Sequence, residues 1–416
     1  MPGIARSSVV IRASAQDAAS PAEGRWTGND EQRTGAGQVQ MRITIVTSPF
    51  SCLPPTGIGA IEKRWFYVAR EFADAGHSVT FVCKDDQIAR DGQHPGFAFR
   101  AIRGYRRTGS KLKDVLLDFA YSLKAILASP RTDILVCNTF WSPFLCLLMP
   151  WKYGRVVYNV ARMPKGQYRF FRHIDRLSCV SHAVAEELLR QSPARVAQVR
   201  VISNPINSEA FRYRPPPPES TRVNITYTGR VHPEKGLRLL VRAYGLLRRR
   251  HPGLTLTIVG ATSVADGGGG EDYVADLQAI AGSHPFEWVP AISDPVRLAE
   301  WLGRADIYCY PSVAEAGESF GVAPLEAMAV GRPVVVSALD CFRDFIVDEE
   351  TGLVFDHRGA DPHISLATKL ERLIGDAKLR QQLGQRASAI VHQRFSAAAI
   401  ARRYLADFER LLGDQA

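Results

Sequence analysis

The 416-residue chain has no apolar run long enough to cross a bilayer, and its oiliest stretch, residues 144–151, is broken at Pro150. A helical channel or transporter is thereby excluded and a soluble chain is expected. Its seven cysteines form no Cys-x-x-Cys pair, and several sit inside apolar, strand-like runs. They read as reduced core residues of a cytoplasmic protein rather than zinc ligands or a disulfide framework. The ten histidines show no metal-ligand spacing, so no structural metal is expected. Nor is there a basic motif with interleaved aromatics of the kind that reads nucleic acid, which ranks that partner last.

What is present is a basic surplus: 52 Lys and Arg against 42 Asp and Glu, a net charge of +10. That balance suits an anionic substrate or an anionic membrane surface, and charge alone does not choose between them. At 46% hydrophobic content and this length, two cores are expected rather than one. Residues 1–40 are polar, small and aperiodic and read as a disordered leader. Arg6, Ser7 and Arg12 would fit a transit peptide, but Asp17, Glu23 and Asp30 argue against one.

From Met41 onward strand and helix patterns alternate. Strands are expected at 42–47, 79–83, 134–137, 156–160, 177–180 and 199–202, with helices at 61–75, 112–127 and 183–189 between them. Residues 208–220, including Pro215 to Pro218, read as a stiff linker. The alternation then restarts, with strands at 223–227, 254–259, 286–289, 307–310, 333–336 and 353–355. Helices are expected at 236–249, 272–281, 296–303 and 322–329, followed by a helical tail from Pro362. This pattern predicts an α/β chain of two doubly wound, parallel-sheet domains, 41–207 and 221–390. The last segment, 391–416, is expected to pack back on the first domain. A ligand cleft belongs between the carboxyl ends of the two sheets.

Two stretches carry chemistry. Glu318-Ser-Phe-Gly-Val-Ala-Pro-Leu-Glu326 places two glutamates around a small-residue turn that opens a helix. The backbone amides of Phe320, Gly321 and Val322 would be unpaired donors there, a natural anion site. Eight helical residues rise about 12 Å, too far for a glycosidase carboxylate pair at roughly 5 to 5.5 Å but suited to two ends of one extended ligand. Alone, such a pair reads rather as a capping and a solvated glutamate. Thr228-Gly-Arg-Val-His-Pro-Glu-Lys-Gly236 lies between a strand and a helix, where Arg230 offers a fork and Lys235 a point charge to phosphates. Alone, its last four residues are an ordinary turn. Gly267 to Gly270 reads as a flexible surface loop without a role.

Together these stretches resemble family 4 of the retaining glycosyltransferases, which have the GT-B fold of two facing Rossmann-like domains. The resemblance also rests on Gly57-Ile-Gly59, Val201-Ile-Ser-Asn-Pro-Ile-Asn207 and Glu349-Glu-Thr-Gly-Leu-Val354. It implies a hexosyltransferase of polysaccharide or glycoconjugate biosynthesis that uses a UDP- or GDP-linked sugar as co-substrate and needs no cofactor. Arg230 and Lys235 would hold the diphosphate, Glu318 the transferred hexose, and Glu326 the ribose. Arg230, Lys235 and Glu318 would be the catalytic residues. Gly59, Gly229, Ser319, Phe320, Gly321 and Val322 would complete the donor site. Metal independence follows from the same resemblance, since no Asp-x-Asp occurs in the chain to hold a divalent ion.

The chain departs from the family at Ala161, in Tyr158-Asn-Val-Ala-Arg-Met-Pro-Lys-Gly-Gln167, where many members carry histidine. Arg162, Lys165 and Gln167 read either as contacts to a carbohydrate or lipid-linked acceptor or as a plain basic loop. The basic stretch 103–113 runs into the helix at 112–127 and offers a peripheral contact with the inner face of a membrane. The competing expectation is that Val115, Leu116, Phe119, Leu123 and Ile126 pack on the domain's own sheet. Two other functions remain open: a nucleotide-sugar epimerase of the same fold, or a non-catalytic sugar-nucleotide-binding partner.

Overall fold

The computed structural model describes residues 40–50, 53, 60–85, 96–105, 108–216 and 222–413. The first sheet is wholly parallel and comprises β1 (Arg42–Val46), β2 (Ser78–Lys84), β3 (Phe97–Ile102), β4 (Thr132–Cys137), β5 (Tyr153–Val160), β6 (Arg176–Cys179) and β7 (Val199–Val201). Its spatial order is β3-β2-β1-β4-β5-β6-β7. The crossover helices are α1 (Ala60–Asp74), α2 (Lys111–Ala128), the short α3 (Ser142–Leu145) and α4 (His182–Gln191). Ile43, Ile45, Val46, Ile134, Leu135 and Val136 are buried on both faces of the central strands, as a sheet covered by helices on both sides requires.

The second sheet repeats the plan. Strands β8 (Val223–Thr228), β9 (Leu254–Val259), β10 (Glu287–Val289), β11 (Ile307–Tyr310), β12 (Val334–Ser337) and β13 (Leu353–Phe355) run in the order β10-β9-β8-β11-β12-β13. Its helices are α5 (Leu237–Arg250), α6 (Gly270–Ala281), α7 (Pro295–Gly303) and α8 (Val322–Ala329), followed by α9 (Pro362–Gly375), α10 (Ala377–Phe395) and α11 (Ala397–Gly413). In each sheet the strand order reverses beside the first strand, between β1 and β4 and between β8 and β11. Those reversals open the crevices where α/β sheets bind ligands. The two-domain parallel architecture read from the sequence is therefore the one observed.

Three features depart from the sequence reading. Strand β3 was not anticipated, because an edge strand with half-exposed residues lacks the buried run that marks its neighbours. The expected stiff linker is described as far as residue 216, and there it is strapped to the second domain. Arg332, almost fully buried, donates to the carbonyls of Arg214 and Pro215 at 2.5 and 3.1 Å, and Arg214 N–H bonds Val330 O, so residues up to 216 belong to the second domain.

The third departure is the rotation of α2. Val115, Leu116 and Phe119 do not pack on the sheet; they are exposed, and only Ile126 of the expected set is fully buried. The inner face is instead anchored by polar groups. Ser122 Oγ donates to Thr139 Oγ1 at 2.8 Å, and Asp118 accepts from Phe140 N–H at 3.1 Å. Turning those groups outward would leave their partners unpaired, at a cost of about 1–3 kcal/mol each.

The chain crosses between the domains twice at one place, where Ile206 N–H bonds Phe395 O at 2.8 Å. Beyond that crossing α11 lies on the first domain: Tyr404 packs on Trp65 at 5.0 Å, and Arg176 bonds Asp407 at 2.8 Å with both side chains about 95% buried. Removing one member of a buried pair strands the other. Asp407→Ala is expected to cost about 3–5 kcal/mol, read as a lower urea-unfolding midpoint.

Candidate active site between the two sheets

The loop after β8 folds as it does because of two glycines. Gly229 has φ +144°, and Gly236 has φ +68° with room for no Cβ, which would stand 2.0 Å from Pro311 O. Between them a single turn, Pro233–Lys235, is capped by His232 and aims Lys235 inward. Lys235 Nζ lies 2.7 Å from Glu318 Oε2, with the two side chains only 8% and 11% exposed, and Tyr310 donates its hydroxyl to the same oxygen at 3.1 Å. Arg230 points the other way: it bonds Glu234 at 2.7 Å and Gly267 O at 3.1 Å. The structure thus brings Lys235 to Glu318 but not Arg230 to Lys235.

Gly267 to Gly270 is a packed segment, contrary to the free surface loop expected. Gly269 N–H bonds Val231 O at 2.7 Å, and a Cβ on Gly268 would stand 2.2 Å from Thr262 O. Its glycines let it lie directly against the basic loop, which is where Arg230 finds the Gly267 carbonyl.

Glu318 and Glu326 do not share a helix. Glu318 lies in the loop before α8, Gly321 turns the chain at φ +88°, and α8 opens at Val322. The two carboxylates therefore face different cavities. Glu318 lines one of about 240 Å³ with Glu186, Glu187, Leu339 and Asp340. Glu326 lines another of about 250 Å³ with Gly229, Arg230, Val322 and, from α1, Lys63, Arg64 and Tyr67. Burial pushes the Glu326 carboxyl up to about 7, with Lys63 opposing. Phe320 is a core residue, packed on Phe345 at 5.2 Å, and Ser319 offers its carbonyl to Ser181 Oγ at 2.7 Å from α4 of the first domain. Beside it His182 N–H bonds Asp344 at 3.1 Å, and that carboxylate raises the imidazole. Gly59 lies outside the described residues.

A third cavity, of about 490 Å³, opens in the first domain. Arg162 and Gln167 line it with Ala161, Glu62, Asp118, Asn138 and Asn159; Lys165 does not, and its backbone N–H bonds the Gln167 side chain at 2.7 Å. Arg64 and Asn204, joined at 3.1 Å, line both this cavity and the one holding Glu326. Among the described residues no group of three His, Cys, Asp or Glu side chains could hold a metal ion.

Comparison with known proteins fits this geometry. The family described as "Glycosyltransferase Family 4" matches residues 61–210, and "Glycosyl transferases group 1" matches residues 211–389. The chain belongs to glycosyltransferase family 4. It is 32% identical to the D-inositol 3-phosphate glycosyltransferase of Arthrobacter over 56% of this chain and 55% of that one. It is 28% identical to the glycogen synthase of Mycobacterium tuberculosis over 75% and 82%. The chain thus spans about half the length of the inositol phosphate enzymes it matches. Among solved structures, sucrose-phosphate synthase from Thermosynechococcus elongatus superposes with a TM-score of 0.72 at 19% identity, covering 90% of this chain and all of that one. Anabaena HepE in complex with UDP and glucose gives 0.66 at 17%, covering 89% and 100%. Both share the GT-B fold.

Within this family 4 chain the sequence reading missed the contribution of α1 and of the first-domain strand ends. Lys63, Arg64 and Tyr67 look like ordinary helix residues, and Asn138 and Asn159 like strand termini. Only the folded chain sets Lys63 and Tyr67 on one cavity and Asn138 and Asn159 on another, with Arg64 lining both. Gly236 makes the strongest local demand, a positive φ with backbone where a Cβ would go. Gly236→Ala is expected to cost at least about 1–2 kcal/mol from the backbone alone and to displace Lys235 from Glu318, lowering Tm. A variant with unchanged Tm would contradict this.

Proposed function

We propose that this family 4 glycosyltransferase moves a hexose from a nucleotide diphosphate to an acceptor hydroxyl with retention at the anomeric carbon and without a metal ion. The observation that carries the proposal is the buried Lys235–Glu318 pair, with Glu318 lining one cavity and Glu326 of α8 lining another. A diphosphate entering beside it would take over Lys235 and the amides at Phe320 to Val322, freeing Glu318 for the sugar hydroxyls. Glu326, in the neighbouring cavity, would accept the ribose hydroxyls, and the cavity holding Arg162 and Gln167 would take the acceptor. The HepE structure, solved with UDP and glucose, is consistent with this class of donor.

In this reading the bond from the anomeric carbon to the β-phosphate oxygen breaks while the acceptor oxygen adds from the same face. The acceptor's proton goes to the departing phosphate, so no protein nucleophile is required. Negative charge grows on the phosphate as the bond opens, and a preorganised cation there acts mainly in the transition state. Lys235→Ala is expected to lower kcat by on the order of 10² to 10³ with the fold intact. Wild-type activity should survive EDTA. Activity lost to EDTA and restored by magnesium would overturn the metal-free mechanism, and an altered nucleotide sugar formed without acceptor would indicate an epimerase.

The Glu326 carboxyl gives a pH test. With its pKa raised to about 7, the empty site is partly protonated at neutral pH. Ribose hydroxyls favour the ionised form, so binding releases a proton and nucleotide-sugar affinity should rise from about pH 6 to pH 8, then level off. The same raised value makes the empty protein lose stability as pH climbs from the ordinary 4.5 through about 7, since the unfolded chain gives up that proton earlier. Titration calorimetry checks the first and thermal unfolding against pH the second, on wild type and Glu326→Gln, because the variant should show weaker binding and no such pH dependence in either.

A further inference from the structure

We propose that the first domain docks on an anionic lipid surface through the outward face of α2 and the adjoining segment up to Lys152, and that the acceptor is carried by a lipid in that surface. The second part rests on the glycosyl-transfer reading; the first does not.

The apolar face of α2 looks the wrong way for a helix whose task is to cover a sheet. Leu112, Leu116 and Leu127 are 72%, 62% and 53% exposed, along one stripe of the helix. Beside it the segment after α3 exposes Leu148 and Trp151 as well. The two pieces form one surface. Trp141 Nε1 donates to Val115 O at 3.0 Å and its ring meets Phe119 at 5.4 Å, while Lys152 Nζ donates to Leu127 O at 3.1 Å at the other end of α2. Among the described residues, nine of the fifteen large apolar side chains that are exposed fall between Leu112 and Phe170. A patch so concentrated marks a contact surface rather than scattered surface apolarity.

Charge decides what it contacts. Residues 96–175 hold fourteen Lys and Arg against four Asp and no Glu, a surplus of ten that equals the whole chain's net charge of +10. The surplus of ten already counts the four aspartates: Asp133 and Asp175 are paired with Arg42 and Arg155, Asp118 accepts from Phe140 N–H, and Asp114 accepts from Thr108. Leucines and a tryptophan within a segment that carries a surplus of cations match acyl chains below anionic headgroups.

The same helix forms a wall of the first-domain cavity. On its inner side Asp118, with Phe140 beyond it, lines the 490 Å³ space that also holds Arg162 and Gln167. On its outer side lies the apolar stripe. An acceptor anchored in the surface beneath α2 would have its polar head one helix-width from that cavity.

The test uses the full-length protein, vesicles of equal parts phosphatidylglycerol and phosphatidylcholine, and vesicles of phosphatidylcholine alone. Wild type should sediment with the anionic vesicles and be released by high salt. Leu112→Gln with Leu116→Gln keeps good helix formers at exposed positions, so Tm should hold while vesicle binding falls at least about tenfold, given the burial each leucine contributes. Equal binding of the variant, or no binding of wild type to either vesicle, would overturn docking. A wild-type dimer that the double variant converts to monomer, without vesicle binding, would also overturn it and make this a self-association face. For the acceptor, label from a radioactive nucleotide sugar incubated with source membranes should enter the solvent-extractable lipid. Label found only in water-soluble product would overturn the lipid acceptor. Vesicle binding without any nucleotide-sugar binding would instead break the glycosyl-transfer reading and leave docking standing.

Discussion

One buried guanidinium ties the first domain to the two stretches of chain that flank the crossing. Arg64 of α1 is 2% exposed, and among the described residues it has no carboxylate partner. It donates instead to Ile202 O at 2.8 Å, to Asn204 Oδ1 at 3.1 Å and to the Tyr404 hydroxyl. Taking a cation out of water costs several kcal/mol unless its donors are met. Here the acceptors come from the end of the first sheet, from the crossing between the domains and from α11. Each of those segments must be in place for Arg64 to be buried, and Arg64 must be buried for α1 to present Lys63 and Tyr67 to the cleft. The wall shared by the cavities of the two domains is therefore tied to the return of the chain in α11.

The second charged arrangement inside the cleft is of a different kind. Lys235 and Glu318 neutralise one another in a nearly closed space, and Tyr310 adds a third bond. A pair like this contributes little net stability, because desolvation of both groups offsets their attraction. Its value lies in readiness. Both groups are held in position without solvent, and a ligand that brings its own anion and hydroxyls can exchange partners with each. Ser181 and His182 bond across the cleft to Ser319 and Asp344, so the loop carrying Glu318 is also braced by the first domain. The geometry of the Lys235–Glu318 pair and the contact between domains are thus coupled through one short loop.

Much of the architecture could be read from residues 41 to 413 because buried parallel strands announce themselves. Runs such as 307–310 and 353–355 coincide with β11 and β13 since a strand covered on both faces tolerates little but apolar residues. The same logic fails for β3, an edge strand, and for the face of α2. There the apolar pattern predicts an amphipathic helix correctly but not which way it turns. Polar anchors at Asp118, Ser122 and Thr139 fix the rotation, and their partners are distant in sequence.

The sequence by itself determined the two-domain α/β plan, the strand-to-helix loop with Lys235 and the glutamates that flank the start of α8. These depend on local pattern and on residue types with few other uses. Only the tertiary structure decided that Lys235 reaches Glu318 while Arg230 turns to Glu234, that Glu318 and Glu326 face separate cavities, and that α1 supplies part of both domains' cavities. Those outcomes depend on which strand ends lie side by side, on positive backbone angles at Gly236 and Gly321, and on the burial of Arg64. The reason is physical: a charge far from its partner in sequence meets it only when the folded chain brings both to one place.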